Sequence, residues 1–130
     1  MSDRKRILVV EDDKDISRAL TVRLRAAGYD VVTAFDGLMG MSTAVKHRPD
    51  LAILDVMMPA GGGLDLAERL QNLASTAGTP FIVLTASKRA GLRERAMALG
   101  ALAFLEKPYD PEALLAEVRR GLGDPAPATA

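Results

Sequence analysis

Short apolar runs alternate with segments of helical spacing along the chain. Four runs are continuous, at residues 7–10, 51–54, 81–84 and 101–105, and a fifth, at residues 31–35, alternates more between apolar and polar positions. Continuous apolar runs of this length are typical of strands covered on both faces, as in a parallel sheet. The pattern therefore predicts five strands in a buried sheet.

The segments between these runs predict five helices, because their apolar residues recur at intervals of three and four. Gly28 and Gly100 are predicted to end the first and fourth helices. Asp110 is predicted to cap the last helix, with Pro111 at its first position. The apolar stripes are, helix by helix, Ile16, Leu20, Leu24 and Ala27; Leu38, Met41 and Val45; Leu66, Leu70 and Leu73; Leu92, Ala96 and Leu99; Leu115, Val118 and Leu122.

The strict alternation of strands and helices predicts an α/β fold. Parallel strands, right-handed crossovers and helices on both faces of the sheet follow from it. Five units in 130 residues suit an open, doubly wound sheet and are too few for an eight-fold barrel. Residues 124–130, rich in Pro and Ala, are typical of a disordered tail or the stub of a linker. We therefore expect one domain over residues 1–123.

Composition narrows the chemistry that this domain can perform. With no Cys and a single His, His47, the chain lacks disulfides, a thiol nucleophile and the ligands of common zinc sites. Its 17 basic and 17 acidic residues balance, which argues against a general nucleic-acid binder. The longest apolar run, residues 96–105, is far shorter than the ~20 residues of a membrane span, and the N-terminus has no signal-peptide pattern. We expect a cytoplasmic protein without membrane contact.

Chemically active side chains directly follow four of the predicted strands. In open α/β sheets, ligands bind beyond the carboxyl ends of the strands, and neighbouring strands lie ~4.8 Å apart. These side chains can therefore meet around one small ligand. They are Glu11, Asp12 and Asp13 after the first strand, Asp55 after the third, Thr85 after the fourth, and Glu106 and Lys107 after the fifth.

Electrostatics narrow the identity of that ligand. The carboxylates of Glu11, Asp12 and Asp55 repel one another, so either one takes up a proton or a cation lies among them. Oxygen ligands without His or Cys suit Mg²⁺, which keeps waters and accepts phosphate oxygens. Thr85 and Lys107 suit an anion bound to that metal, and an Asp can carry a phosphoryl group covalently. Each residue alone is also explained as a cap, a turn residue or a solvated charge, but together they favour phosphoryl transfer.

Four motifs at these positions resemble the receiver domain of bacterial two-component response regulators. The resemblance covers roughly residues 5 to 122 and implies a flavodoxin-like fold, with five helices and five strands in the order 2-1-3-4-5. The motifs are Ile7-Leu8-Val9-Val10-Glu11-Asp12-Asp13, Leu54-Asp55-Val56-Met57-Met58-Pro59, Leu84-Thr85-Ala86 and Glu106-Lys107-Pro108.

The resemblance assigns the acceptor and the metal ligands. It makes Asp55 the phospho-acceptor, Asp12 the direct Mg²⁺ ligand and Glu11 its water-mediated companion. Met57 is implied to give a backbone carbonyl to the metal. Asp13, a third acid beside the pair, is interpreted as a helix-start residue.

The resemblance also assigns the residues that respond to phosphorylation. Thr85 is implied to bond a phosphoryl oxygen through its hydroxyl, and Lys107 to neutralise another. Family members place a cis bond before the proline that matches Pro108, and cis bonds are tolerated almost only before proline. Phe104 falls where the family keeps an aromatic switch residue that rotates inward when Thr85 moves.

One segment departs from the family pattern. After Pro59 the family usually has a small residue followed by Met-Asp-Gly, whereas residues 60–63 here are one Ala and three Gly. The change removes an apolar anchor and a helix cap, and consecutive glycines are flexible. It predicts a less rigid start of the third helix, beside the phosphorylation site.

The implied function is a phosphorylation-dependent switch, with no enzyme activity beyond self-phosphorylation from phosphodonors and self-dephosphorylation. The phosphohistidine must come from a sensor histidine kinase or a histidine phosphotransfer protein, because His47 lies at the end of the second helix, away from the site. A downstream effector protein or a missing output domain receives the signal, and a phosphorylation-dependent dimer is left open. No helix-turn-helix element remains for direct nucleic-acid contact.

Three alternatives are kept beside this interpretation. An aspartyl-phosphate phosphatase of the haloacid dehalogenase type needs a second Asp two residues after the nucleophile, where this chain has Met57. A flavodoxin-like flavin carrier needs a hydroxyl-rich loop after the first strand, where this chain has three acids. A degenerate receiver, acting without phosphate as an interaction module, is disfavoured by the complete set of site residues.

Overall fold

Five strands alternate with five helices in this protein. The structure is a computed structural model and describes residues 4–58 and 62–124. The predicted alternation of elements is confirmed throughout. The elements are β1 (Arg6–Val10), α1 (Lys14–Ala26), β2 (Asp30–Ala34), α2 (Gly37–His47), β3 (Leu51–Asp55), α3 (Gly63–Gln71), β4 (Phe81–Thr85), α4 (Leu92–Ala98), β5 (Ala103–Glu106) and α5 (Pro111–Leu122).

All five strands are parallel and pair in the order β2-β1-β3-β4-β5. The fold class and the strand order are therefore as the sequence and the family resemblance predict. The order reverses around β1, and crevices for ligands form at such switch points, outside the carboxyl ends of the strands. Val10 of β1 is in register with Leu54 of β3, so the next residues, Glu11 and Asp55, begin side by side.

Each face of the sheet buries its own apolar layer, because successive residues of a strand point to opposite faces. One layer joins the sheet to α2, α3 and α4, and the other joins it to α1 and α5. Strand residues Leu8, Val10, Leu54 and Val83 belong to the first layer, and Ile7, Val9, Ile53 and Ile82 belong to the second. The continuous apolar runs are thus explained by burial on both faces.

The apolar stripe that predicts α2 is not its buried face. Leu38 and Val45 are 67% and 42% exposed, and the buried positions of this helix are Gly37, Gly40 and Ala44. A Cβ at Gly40 would lie 2.8 Å from a methyl group of Leu66 in α3 and 3.2 Å from Val10. The helix therefore packs through its small residues, which hydrophobicity alone does not identify.

The predicted helix ends agree well with the structure. Gly28 and Gly100 adopt left-handed φ angles of 100° and 94° just beyond α1 and α4. Asp110 accepts a hydrogen bond from the Glu112 N–H at 3.1 Å, and Pro111 is the first residue of α5. No helix in the described ranges is both long and apolar enough to cross a membrane.

Several predicted boundaries are displaced by one or two residues. Leu73 lies beyond the end of α3 and is partly exposed, so its place in the apolar stripe is wrong. β5 begins at Ala103 rather than at residue 101, and β2 covers residues 30–34 rather than 31–35. The two strands begin and end where their pairing with the neighbouring strand does.

Asp124, assigned by the sequence to the tail, contacts the folded domain. Its carboxylate accepts a hydrogen bond from the Tyr29 hydroxyl at 2.9 Å and lies 3.3 Å from the ammonium of Lys5. Burial and the hydrogen bond to Asp124 raise the pKa of Tyr29 to about 12. The rest of the predicted tail, residues 125–130, lies outside the described residues.

The start of α3 depends on close backbone packing. Gly62 occupies the N-cap position without a side-chain hydrogen bond, as the loss of the family's Asp predicts. A Cβ on Gly62 or Gly63 would overlap the carbonyl oxygens of Val56 and Asp55, respectively. In this conformation neither glycine has room for a side chain unless the backbone shifts. Ala60 and Gly61 lie outside the described residues, so the predicted flexibility of this loop stays a prediction.

Replacement of Gly63 by Ala is expected to destabilise the domain. The new Cβ meets backbone atoms of Asp55, which cannot move aside as a side chain does, and overpacking typically costs about 1–3 kcal/mol. Urea denaturation followed by circular dichroism measures the free energy of unfolding. Gly78→Ala is the matched control, because nothing lies within 4 Å of its added Cβ, and we expect a change within about 0.5 kcal/mol. Equal stability of the two variants would contradict the close approach.

Candidate functional site

The predicted site residues converge at the carboxyl edge of the sheet. Asp55 and Thr85 are the last residues of β3 and β4, Glu11 follows β1 directly, and Lys107 follows β5. The backbone N–H of Lys107 donates to the carbonyl of Thr85 at 2.8 Å, which ties the ends of β4 and β5 together. Parallel strands in this order therefore bring residues from four separate segments to one place.

Three carboxylates form a cluster at this edge. One oxygen from each of Glu11, Asp12 and Asp55 lies within 4.8 Å of the other two. Glu11 is 2% exposed and Asp55 is 5% exposed, whereas Asp12 is open to solvent. An all-oxygen donor set with one solvent-facing side fits Mg²⁺, which binds through a few carboxylates and keeps several waters.

Lys107 provides the cation that faces this cluster. Its ammonium forms an ion pair with Glu11 and lies 3.5 Å from a carboxylate oxygen of Asp55. The peptide bond between Lys107 and Pro108 is cis, as the family resemblance predicts. The lysine therefore contacts both buried acids at once.

Burial and charge act on these groups in opposite directions. Burial, partly offset by the contact with Lys107 and reinforced by the neighbouring Asp55, raises the pKa of Glu11 to about 7. For Lys107, burial lowers the pKa, but the contacts with Glu11 and Asp55 outweigh it and raise the pKa above its ordinary value. One ammonium thus does not fully compensate two buried carboxylates.

Thr85 is fully buried at the end of β4. Its hydroxyl oxygen accepts a hydrogen bond from the backbone N–H of Ser87 at 2.9 Å, and the Ser87 hydroxyl accepts from the N–H of Arg89 at 3.2 Å. Thr85 is therefore linked directly to the loop between β4 and α4. A movement of the Thr85 side chain would therefore alter the hydrogen bond that holds this loop.

Phe104 is buried in the apolar layer that joins the sheet to α2, α3 and α4. The guanidinium of Arg93 in α4 lies 5.0 Å from the centre of its ring, within the range of a cation–π contact. The ring of Phe104 is thus buried and contacts α4 through Arg93.

Met57 has an exposed side chain, and its backbone N–H donates to a carboxylate oxygen of Asp55 at 3.3 Å. This contact holds the backbone of Met57 next to the carboxylate cluster. The side chain itself does not take part in the site.

Two further residues lie where the sequence predicts. The Asp13 carboxylate caps α1 by accepting from the N–H groups of Asp15 and Ile16, so it is a helix-start residue. His47 ends α2, and its carbonyl accepts a hydrogen bond from Arg6 at the start of β1. His47 is therefore at the opposite edge of the sheet from the carboxylates.

Sequence reasoning missed an apolar cavity of about 600 Å³ beside Lys107. Ile16 and Ala19 of α1 line one side, and Pro108 and Tyr109 line the other. One residue of the sequence could have indicated this cavity. Ile16 belongs to the apolar stripe of α1, but it is only half-buried, on the flank of that helix. An apolar residue off the buried face of a helix indicates such a surface.

A family comparison identifies the class of protein to which this fold and site belong. The family model of the response regulator receiver domain matches residues 7–119. The chain belongs to this family. Receiver domains are signalling modules of two-component systems rather than enzymes in the ordinary sense, and they typically bind Mg²⁺ at an acidic pocket.

Two relatives are longer proteins. The chain is 40% identical over 114 residues to the DNA-binding dual master transcriptional regulator RpaA of Synechocystis sp., covering 88% of this chain and 47% of the relative. It is 36% identical over 113 residues to the response regulator ArlR of Staphylococcus aureus, covering 87% of this chain and 50% of the relative. The chain thus spans about half the length of these relatives.

Solved structures of similar proteins have the same fold. A putative response regulator from Chloroflexus aurantiacus matches with a TM-score of 0.87 at 30% identity, over 93% of this chain and 99% of that one. The chemotaxis protein CheY4 of Vibrio cholerae matches with a TM-score of 0.84 at 33% identity, over 92% and 99% of the two chains.

In protein kept free of divalent ions, Glu11 is expected to titrate near pH 7. Because its pKa is raised from an ordinary value of 4.5, the folded state holds a proton that the unfolded state has lost. The free energy of unfolding should therefore fall as pH rises from about 4.5 to about 7. Carboxyl NMR shifts report the titration, and urea denaturation reports the stability.

Glu11→Gln is the control for this titration, because it removes the proton-binding group and keeps the shape. Its stability should vary less over the same pH interval. A Glu11 titration close to 4.5, or an equal slope in the two proteins, would contradict the effect of burial.

Proposed function

We propose that this protein is a phosphorylation-dependent switch in which Asp55 accepts a phosphoryl group from a phosphohistidine. The observation that carries the proposal is the buried Asp55 carboxylate, with Lys107 3.5 Å away and two further acids within 4.8 Å. That combination offers a nucleophile, a counter-charge and oxygen ligands for Mg²⁺ in one small space.

In the transfer step, a carboxylate oxygen of Asp55 attacks the phosphorus of the phosphohistidine in line. The new O–P bond forms as the N–P bond breaks, and the electron pair of the broken bond stays on the imidazole nitrogen, which takes up a proton. Lys107 balances charge on the transferred group. Its raised pKa keeps the ammonium protonated through the reaction.

Mg²⁺ would be held directly by Asp12, Asp55 and the backbone carbonyl of Met57. Glu11 would contact the ion through a water molecule. When bound, the metal ion neutralises charge on the carboxylate and phosphoryl oxygens. The exposed Asp12 leaves one side of the cluster open to water and to the incoming phosphodonor.

The signal leaves the site through Thr85 and Phe104. The phosphorylated aspartate carries roughly two negative charges where one stood, and the Thr85 hydroxyl and Lys107 are drawn toward it. The loop held by the Thr85–Ser87 hydrogen bond then moves, and Phe104 with Arg93 above it repacks. The phosphoryl group shifts an existing equilibrium by its differential interaction with the two states.

The donor is a histidine kinase or a histidine phosphotransfer protein. His47 is at the far edge of the sheet, so the phosphohistidine comes from another protein. The apolar cavity beside Lys107 lies next to the acceptor and suits the surface of such a donor.

Residues 1–123 form the receiver under this proposal, in a cytoplasmic signalling protein. The relatives are about twice as long, and RpaA is described as DNA-binding, which favours an output domain or a separate effector as the next step. The receiver itself contacts protein rather than nucleic acid. Any dimer that it forms depends on phosphorylation.

The first rival, a phosphatase of the haloacid dehalogenase type, lacks its second Asp, because Met57 fills that position with an exposed, apolar side chain. The second, a flavin carrier, is opposed by the three acids that follow β1, since they repel a phosphate group. The complete constellation of acceptor, acids, hydroxyl and ammonium supports a phosphate-dependent receiver over a degenerate one.

Incubation with acetyl phosphate and Mg²⁺ is expected to add one phosphoryl group to the wild-type protein. Asp55→Asn should gain none, because an amide lacks the nucleophilic oxygen, and omission of Mg²⁺ should strongly reduce the yield. Intact mass spectrometry measures the adduct.

Asp15→Asn, an exposed carboxylate on α1, is the matched control and should be phosphorylated like the wild type. An equal adduct on Asp55→Asn would overturn the assignment of the acceptor. Steady turnover of a stable phosphomonoester would favour the phosphatase.

Thr85→Ala should still be phosphorylated but lose most of the conformational response, since it lacks the hydroxyl that bonds the phosphoryl group. NMR resonances of Phe104 and α4, recorded with and without beryllofluoride, measure that response. Thr85→Ser keeps the hydroxyl and should respond like the wild type. A full response from Thr85→Ala would remove this residue from the switch.

A further inference from the structure

The outer edge of β2 is open among the described residues, because β2 pairs only with β1. Asp30 and Ala34 direct their backbone groups toward β1: the Asp30 N–H donates to Lys5, and the Ala34 carbonyl accepts from Glu11, both at 3.0 Å. Since successive residues of a strand alternate, the N–H and C=O groups of Val31 and Thr33 point to the open edge.

One side of this edge is basic. Lys14, Arg18 and Arg25 recur at intervals of four and seven along α1 and so share one helix face; we call them the basic stripe. All three are exposed, and none forms an ion pair within the described part of the chain. Together with Thr33 and Phe35 they line a groove of about 340 Å³.

The other side of the edge is apolar. Leu38, Met41 and Val45 of α2 form what we call the apolar stripe, and its first and last members are exposed. Gly40 faces Leu66 of α3, so the stripe lies on the flank of α2 away from α3, and α2 packs against both β1 and β2. The open edge therefore has the basic stripe on one face of the sheet and the apolar stripe on the other.

We propose that the β2 edge binds an extended segment of a partner protein in which acidic and apolar residues alternate. A strand added to the edge would hydrogen-bond to Val31 and Thr33, and its side chains would point alternately to the two faces. Acidic side chains then meet the basic stripe, and apolar side chains meet the apolar stripe.

The dimensions of the two elements agree with this arrangement. Arg25 lies eleven positions after Lys14, a rise of about 16 Å along the helix, and five residues of extended strand also span about 16 Å. One added strand therefore runs the full length of the basic stripe.

Other occupants fit less well. A second copy paired edge to edge in an antiparallel sheet, about a two-fold axis perpendicular to it, would bring two basic stripes together on one face, and like charges repel. A nucleic-acid strand would satisfy the basic stripe and leave the apolar stripe uncovered. The acidic and apolar segment complements both.

The test uses a labelled short peptide that alternates Glu and Val, with binding followed by fluorescence anisotropy. The wild-type protein should bind it saturably, and more weakly as salt is raised. Reversal of the basic stripe in Arg18→Glu/Arg25→Glu should weaken binding roughly tenfold or more. Val45→Glu should also weaken it, because it places a charge in the apolar stripe.

Thr33→Pro tests the strand pairing itself. It removes an outward N–H and none of the hydrogen bonds to β1, so the fold is retained and binding is lost. Circular dichroism checks the fold of each variant. Arg69→Glu/Arg89→Glu, which reverses two exposed cations on α3 and before α4, is the control and should bind like the wild type.

The proposal is overturned if the wild type does not bind the peptide, or if folded Thr33→Pro binds it equally well. It is also overturned if a peptide alternating Glu and Ser, or a single-stranded oligonucleotide, binds as tightly as the Glu–Val peptide. Concentration-dependent dimers that Thr33→Pro abolishes, without peptide binding, would assign the edge to a second copy instead.

Discussion

The site depends on the burial of two carboxylates beside a single ammonium group. Glu11 and Asp55 are forced together because β1 and β3 are central neighbours in register, and Lys107 contacts both. Buried charges are tolerated when they are paired, and here one positive charge faces two negative ones. Burial, reinforced by this imbalance, raises the pKa of Glu11, and the cluster of acids fits a further cation.

The rest of the fold holds this arrangement in place through backbone contacts. Gly63 brings the start of α3 against the carbonyl of Asp55, and the Lys107 N–H bonds to the carbonyl of Thr85. Neither contact depends on a side chain that can rotate away. The functional groups are thus presented from strand ends that the sheet itself keeps at fixed separations.

Much of this could be predicted from sequence, because buried strands leave continuous apolar runs and their polar successors are easy to see. The prediction failed for α2, where Leu38 and Val45 suggest a buried face but Gly37, Gly40 and Ala44 form it. Hydrophobicity measures how much a residue gains from burial, whereas close helix packing is decided by how little room a residue takes. Only the neighbouring Leu66 and Val10 reveal that limit.

By itself, the sequence determined the element order, the two-sided burial of the sheet and the identity of the polar residues at its carboxyl edge. Tertiary structure alone decided which of them touch: Lys107 meets Glu11 across 96 positions of chain, and Asp12 stays exposed beside two buried acids. Among the residues that the structure describes, it also left β2 as an open edge between the basic and apolar stripes. Periodicity is a local property of the chain, whereas distance, exposure and the partners of a charge arise only when distant segments pack together.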